Sequence, residues 1–298
     1  MKKIIAMLLA FVMLFALSAA AMADEAPVGN ENPVSKSLSF MSAWRGIVTA
    51  GNLNGDFVKV GDLEVDLWMP DVLTAQTELP DDAYFLYADS TGNASIKAHR
   101  VGLDGASTLE EVEKNVTDAG CVSDGIYWIN GFNALVFESK ENDSINAVIL
   151  RNDDDTGVEF VFKGVSNQDM YSLSSLVMAT IQRHTLDIED VSMMIGADLN
   201  NAWVGDYHIT FGNIENSDKS HITVDLWKEG INADTINSVT GWDSLQNDMT
   251  DLYNLYADVL ARFNMDNIVL TVNFTDEKDE NNIFLTLKDG EFTYDVFA

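Results

Sequence analysis

Apolar and polar positions divide this chain into an apolar head, a polar leader and a long body of alternating and helical periodicity. Ile4 to Leu17 is an unbroken apolar run behind Lys2-Lys3, and small residues lead from it to Ala21-Met22-Ala23 before Asp24-Glu25. A basic start, an apolar core and an Ala-x-Ala site make residues 1–23 a secretory signal peptide, cut between Ala23 and Asp24. The Lys-Lys start and Met/Leu-rich core have a bacterial character. Residues 24–37 hold two prolines and three acids and read as a flexible leader.

Within the body, Asp62 to Met69 alternates as a strand with Leu63, Val65 and Leu67 on one face, and Pro70 ends it. Tyr84–Ala88 and Ser95–Val101 flank Asp89-Ser-Thr-Gly-Asn93, a hairpin signal. Ser107-Thr-Leu-Glu110 is a capping box ahead of the helix stripe Leu109, Val112 and Val116, which Gly120 can close. Three meander strands follow, over 126–138, 145–150 and 158–162. A helix over 169–182 places Met170, Leu173, Val177 and Ile181 inward, with Arg183 and His184 at its negative end. Residues 185–198 read as a link. Beyond it the pattern is β-β-α-β-β-β: strands at 207–211 and 222–227, a helix over 243–263, then strands at 267–274, 283–288 and 291–297. Asp289-Gly290 is the tight turn between the last two. The helix stripe is Leu245, Met249, Leu252, Tyr256, Val259 and Phe263. The expected class is α+β, with two domains at 38–184 and 199–298, each an antiparallel sheet packed with one or two helices.

The two domains share an echo. Ala43-Trp44-Arg45-Gly46 recurs as Ala202-Trp203-Val204-Gly205, and Val65-Asp66-Leu67-Trp68 recurs as Val224-Asp225-Leu226-Trp227. Gly51-Asn52-Leu53 and Gly212-Asn213-Ile214 lie between the members of each pair. The echo predicts that both domains open on a tryptophan-led strand, a turn and a second strand.

The order of elements over residues 58–184 resembles the PsbP/Mog1-like α/β/α sandwich. The matching residues are Val65 to Pro70, Gly131-Phe-Asn-Ala134 before an alternating strand, and Ser172 to Gln182. That resemblance implies a small binding or assembly module with no invariant catalytic set, so it transfers no site residue.

Charge narrows the partners. Of 17 Lys and Arg, cleavage removes Lys2 and Lys3, leaving 15 against 48 Asp and Glu, a net charge of −33. Such a chain lacks the cations that displace counterions from nucleic-acid phosphates, and its field opposes anionic membranes. Cys121 is the only cysteine, so no internal disulfide can form. It reads as a small apolar filler rather than a nucleophile.

The chain carries no Gly-x-Ser-x-Gly elbow, Ser-x-x-Lys set, Walker loop or dinucleotide glycine fingerprint. The histidines, His99, His184, His208 and His221, have no zinc spacing, although His208 and His221 fall on strands expected to pair and could face one side. Asn152, Asp154, Thr156 and Gly157 occupy the first, third, fifth and sixth places of a calcium-loop count, but Lys163 stands where the bidentate Glu belongs. That stretch and Asp276-Glu-Lys-Asp-Glu280 read as solvated loops. Trp68 and Trp227 end equivalent strands, where they either plug a core or stack on a ligand. No catalytic, cofactor-binding or metal-ligating residue is selected, and no cofactor is expected. The expectation is a secreted, non-catalytic protein that binds an extracellular protein or glycan, without nucleic acid and without a membrane anchor after cleavage. The alternatives are a secreted hydrolase using acidic residues, whose pair cannot be chosen among 48, and a calcium-dependent surface protein.

Overall fold

The computed structural model describes residues 36–50, 54–61, 63–151 and 156–298. The signal peptide, its Ala23–Asp24 cleavage point, the leader up to residue 35 and the Gly51-Asn52-Leu53 triplet lie outside the described residues. The chain is α+β and divides into two units, one ending at Thr185 and one spanning Leu186–Ala298.

The first unit opens on a short strand, β1 (Ser37–Leu38), and a helix, α1 (Phe40–Ala50). The expected tryptophan-led strand is therefore a helix. Ser39 caps it by accepting from the Ser42 N–H. Phe40, Met41, Trp44 and Ile47 then fall at helical spacing and are all buried. A hairpin follows, β2 (Gly55–Lys59) and β3 (Val65–Pro70), and joins β11 (Gln182–Arg183) in a three-stranded sheet ordered β11-β3-β2. Phe57 stands opposite Trp68, so both share one face, and the Phe57 ring packs on Phe40 and Trp44 of α1. Gly55 is obligatory on that face: a Cβ there would lie 2.7 Å from the Trp68 ring.

The larger sheet of this unit contains β1, β4 (Thr74–Ala75), β5 (Ala83–Ala88), β6 (Ser95–Gly102), β7 (Val122–Ile129), β8 (Phe132–Ser139), β9 (Ser144–Leu150) and β10 (Thr156–Lys163). Its order is β1-β7-β8-β9-β10-β6-β5-β4, and only β1–β7 is parallel. The stretch read as one strand over 126–138 is two. Asn130 and Gly131 take left-handed φ values of 41° and 97°, the pattern of a tight hairpin turn inside an otherwise continuous apolar run.

Helix α2 (Leu109–Asp118) starts one residue later than its capping box predicts. Thr108 caps it, while the Glu111 carboxylate reaches back to the backbone N–H and hydroxyl of Ser107. This shift leaves the predicted stripe intact. Leu109 and Val112 pack with Leu135, Phe137 and Val148, and Val116 and Cys121 border the same cluster. Helix α3 (Gln168–Met178) ends earlier than predicted. The Asn130 amide donates to the carbonyls of Ala179 and Ile181, and Thr180 Oγ1 accepts from the Trp68 N–H. These contacts pull the chain out of the helix, so Arg183 lies on β11 and His184 just beyond it rather than at a helix end.

In the second unit, the expected link is mostly helix α4 (Ile188–Ala202). Asp187 and Asp190 form its capping box, with Asp in the place Glu usually takes. Trp203 is the C-cap of this helix, not a strand residue. The strands are β12 (Asp206–Asn213), β13 (Ser220–Trp227), β14 (Ile268–Asp276), β15 (Asp279–Lys288) and β16 (Glu291–Asp295), in that order across the sheet. All neighbours are antiparallel except β13–β14, which are parallel because the long helix α5 (Trp242–Arg262) crosses between them. Ile222, Val224 and Leu226 of β13, with Leu270, Val272 and Phe274 of β14, form the inner face. Leu245, Met249, Leu252, Tyr256 and Val259 of α5 are buried with them. Asp289 and Gly290 make the predicted turn, with φ of 52° and 79°. Asp276–Glu280 is not a loop: β14 ends at Asp276 and β15 begins at Asp279, so only Glu277 and Lys278 turn.

Candidate functional site

Strand alternation sends Val224 and Leu226 into the core and leaves Asp225 and Trp227 on the other, outer face of the second sheet. Register then assembles a row across that face. His208 on β12 is opposite Asp225 on β13, Asp225 is opposite Asn273 on β14, and Asn273 is opposite Thr286 on β15. The Thr286 hydroxyl donates to Asn273 Oδ1 at 2.9 Å, and Asn273 Nδ2 donates to Asp225 Oδ1 at 2.8 Å. These two bonds fix which way the Asn273 amide points. Glu280 Oε2 lies 3.3 Å from His208 Nδ1, so a second carboxylate meets the same row.

Burial pushes the Asp225 carboxyl above its ordinary value, with Glu280 adding to the effect. The Asn273 hydrogen bond and His208 oppose them. One carboxyl raised by burial beside a more exposed one is a chemically differentiated pair.

Next to this row, Trp227 and the segment Asp276–Asn281 line an open cleft of about 380 Å³. The acids of the turn are engaged internally. Asp276 accepts from the backbone N–H groups of Ala233 and Lys278 and from Asn282. Glu277 accepts from the Gly230 N–H and from Asn232 Nδ2. Burial raises the Asp276 carboxyl, but the donors around it outweigh that and hold it low. Asn232 and Gly230 likewise lower Glu277. Both acids pin the 230–233 loop beside the cleft. Among the described residues, no group of three or more His, Cys, Asp or Glu could hold a metal ion. Asn152 and Asp154 of the calcium-loop count lie outside the described residues, while Thr156, Gly157 and Lys163 sit on β10.

Trp68 and Trp227, equivalent in sequence, differ in setting. Trp68 is 1% exposed and belongs to the core; Trp227 is half-buried on the cleft wall. His208 and His221 do face the same side, but four strand residues, about 14 Å, separate them. His184 Nδ1 lies 2.7 Å from Asp66 Oδ2.

The first unit holds a second row. His99 on β6 is opposite Glu159 on β10, with Nε2···Oε2 at 2.8 Å, and its Nδ1 lies 3.3 Å from Asp82. Asn146 Nδ2 donates to the other Glu159 oxygen at 2.7 Å. The Glu159 hydrogen bond raises the His99 pKa against the opposing effect of burial, and Asp82 reinforces it. A structural ion-pair array accounts for this row, since both ring nitrogens are occupied.

Asn273 and Thr286 carry no sequence expectation, and Glu280 is expected only as part of a solvated loop. The one available signal was the polar alternation of Thr271, Asn273 and Thr275 on β14.

No protein-family model matches the chain, and no curated protein does. Among solved structures, the chain is similar to the solution structure of cyanobacterial PsbP (CyanoP) from Synechocystis sp. PCC 6803. The identity is 10% and the TM-score 0.31, over 54% of this chain and 98% of that one. Neither fold nor residue role is taken from that likeness.

Proposed function

We propose that this is a secreted, non-catalytic binding protein that meets an extracellular partner through the outer face of its second unit. The signal-like head supports export. The placement of Trp227 carries the rest: a half-buried indole on the wall of an open cleft, beside a hydrogen-bonded row of polar side chains. An indole with an apolar face and a polar rim of carboxylates and amides is suited to stacking on a sugar ring or a partner side chain. Tryptophan fluorescence titration against panels of extracellular glycans and peptides tests this. A saturable change that Trp227→Ala abolishes, with folding retained, is the expected result. Binding undiminished in that variant would overturn the reading.

A second reading is a hydrolase using carboxylates, favoured by Asp225, whose carboxyl burial pushes above its ordinary value, in the same row as Glu280. Turnover of a glycan or peptide substrate that disappears in both Asp225→Asn and Glu280→Gln would establish it in place of the first.

A further inference from the structure

Sheet edges are sites where unpaired backbone groups invite another strand, and proteins blunt them with short strands, bulges, Lys or Pro. Five of the six edges among the described residues are blunted by very short length, a terminal lysine (Lys59 on β2) or a bulge. β1, β4 and β11 have two residues each, and β2 and β16 have five, with β16 also bulged against β15. β12 is different. It runs eight residues in unbroken register with β13, without Lys, Arg or Pro, and its one acid is the terminal Asp206.

Its hydrogen-bonding phase is fixed at the turn end of the hairpin. The Ile214 N–H donates to the Lys219 carbonyl, so alternate residues back from there, Gly212, Thr210 and His208, bond to β13. The backbone groups of Tyr207, Ile209, Phe211 and Asn213 therefore point to the free edge. The Ser220 N–H donates to Asn267 on the far side, which agrees with this phase. Side chains alternate as well. Tyr207, Ile209 and Phe211 face the α4 side, where the Tyr207 hydroxyl donates to the Gly196 carbonyl, and Phe211 remains 43% exposed. His208 and Thr210 face the outer side, beside Asp225 and Glu280.

We propose that β12 is a strand-addition site for an extended, basic segment of a partner protein. The proposal rests on the binding role assigned to this face and names the class of partner. Charge selects the occupant: Leu186–Ala298 holds 22 Asp and Glu against five Lys and Arg. That balance opposes a second copy of this chain and favours a cation-rich strand. An added strand would place alternate apolar side chains over Ile209 and Phe211, and Lys or Arg toward Asp225 and Glu280.

The test is backbone hydrogen exchange on the full protein with an eight-residue peptide alternating lysine and valine. The control has the same charge, with alternate valines replaced by proline so that it cannot pair. The expected result is at least tenfold slower exchange at Ile209 and Phe211 with the first peptide and no change with the control. Ile209→Pro removes an outward N–H without breaking a β13 bond and should weaken peptide binding at least tenfold. Phe211→Lys should do the same by charge and serves if the proline variant does not fold. Equal protection by the control, protection elsewhere, or a dimer whose β12 amides are already slow without peptide would overturn the proposal. Ligand binding lost in Trp227→Ala but intact in Ile209→Pro and Phe211→Lys would remove strand addition and leave the Trp227 reading standing.

Discussion

Two hairpins carry the same Val-Asp-Leu-Trp tetrapeptide, and the helix before each packs on opposite sides of it. In the first unit, α1 lays Phe40 and Trp44 against Phe57, on the face that bears Asp66 and Trp68. In the second, α4 meets Tyr207, which lies opposite Leu226 on the face that bears Val224 and Leu226. The aspartate–tryptophan face is thus covered in one unit and open in the other. Four identical residues specify a strand and its alternation, but the first strand is buried on both faces while the second is open on its Asp225–Trp227 face. The echo in sequence is not an echo in packing.

Truncating both tryptophans gives the largest expected difference between the two hairpins. Trp68→Ala removes a fully buried indole and should cost about 3–5 kcal/mol in urea unfolding, with loss of first-unit cooperativity. Trp227→Ala should cost about 1 kcal/mol or less, because its ring already borders solvent. Equal losses would mean that both faces are core.

Crowding supplies the next effect. Gly55→Ala forces a methyl against the Trp68 ring and the Met69 carbonyl and should destabilise by about 1–3 kcal/mol. Gly212 of the second hairpin has only the His221 ring, 3.5 Å from an added Cβ. There the alanine variant should lie within about 0.5 kcal/mol of the parent by the same measurement.

Titration sharpens the contrast further. Asp225 has its folded pKa raised by burial, so its contribution is fully present below the unfolded value and lost as pH rises through the folded one. Asp225→Asn should therefore raise the melting temperature at pH 7, and the gain should vanish near pH 3, where the native carboxyl is protonated. A gain that persists in acid would show that burial of charge is not its cause.

The smallest effect concerns His99, whose folded pKa is also raised, by Glu159 first and then Asp82, with Lys97 opposing. Its stabilisation is present below the unfolded value of about 6.5 and fades as pH climbs past the folded one. His99→Gln should cost more at pH 5.5 than at pH 8.5 in thermal melts. A cost independent of pH would assign the row to packing alone.

Much of the fold is legible from periodicity. The second unit's strands and long helix are, because Ile222, Val224 and Leu226 alternate cleanly and Asp289-Gly290 marks its turn. Helix α4 is not, because its buried side includes Asp190, Ser192, Gly196 and Asp198, which no apolar stripe reveals. Asp198 is buried and accepts from the Tyr256 hydroxyl of α5, a contact formed across 58 residues. Helix α1 was hidden by its aromatics, which suit strands equally well. The candidate site is less legible still. His208, Asp225, Asn273 and Thr286 are ordinary residues on four strands, and only register brings them into one row. Trp227 was visible in sequence, but its difference from Trp68 depends on whether its face of the strand is covered.

That difference is open to one direct measurement. With 5-fluorotryptophan incorporated at all six tryptophans and resonances assigned by single Trp→Phe variants, fluorine NMR reads Trp68 and Trp227 separately. A soluble gadolinium chelate and the extracellular ligand panel are then added in turn. Trp227 is expected to broaden with the chelate and to shift with a bound ligand, while Trp68 does neither. Equal protection of the two indoles from the chelate, or a ligand response at Trp68 with none at Trp227, would contradict it.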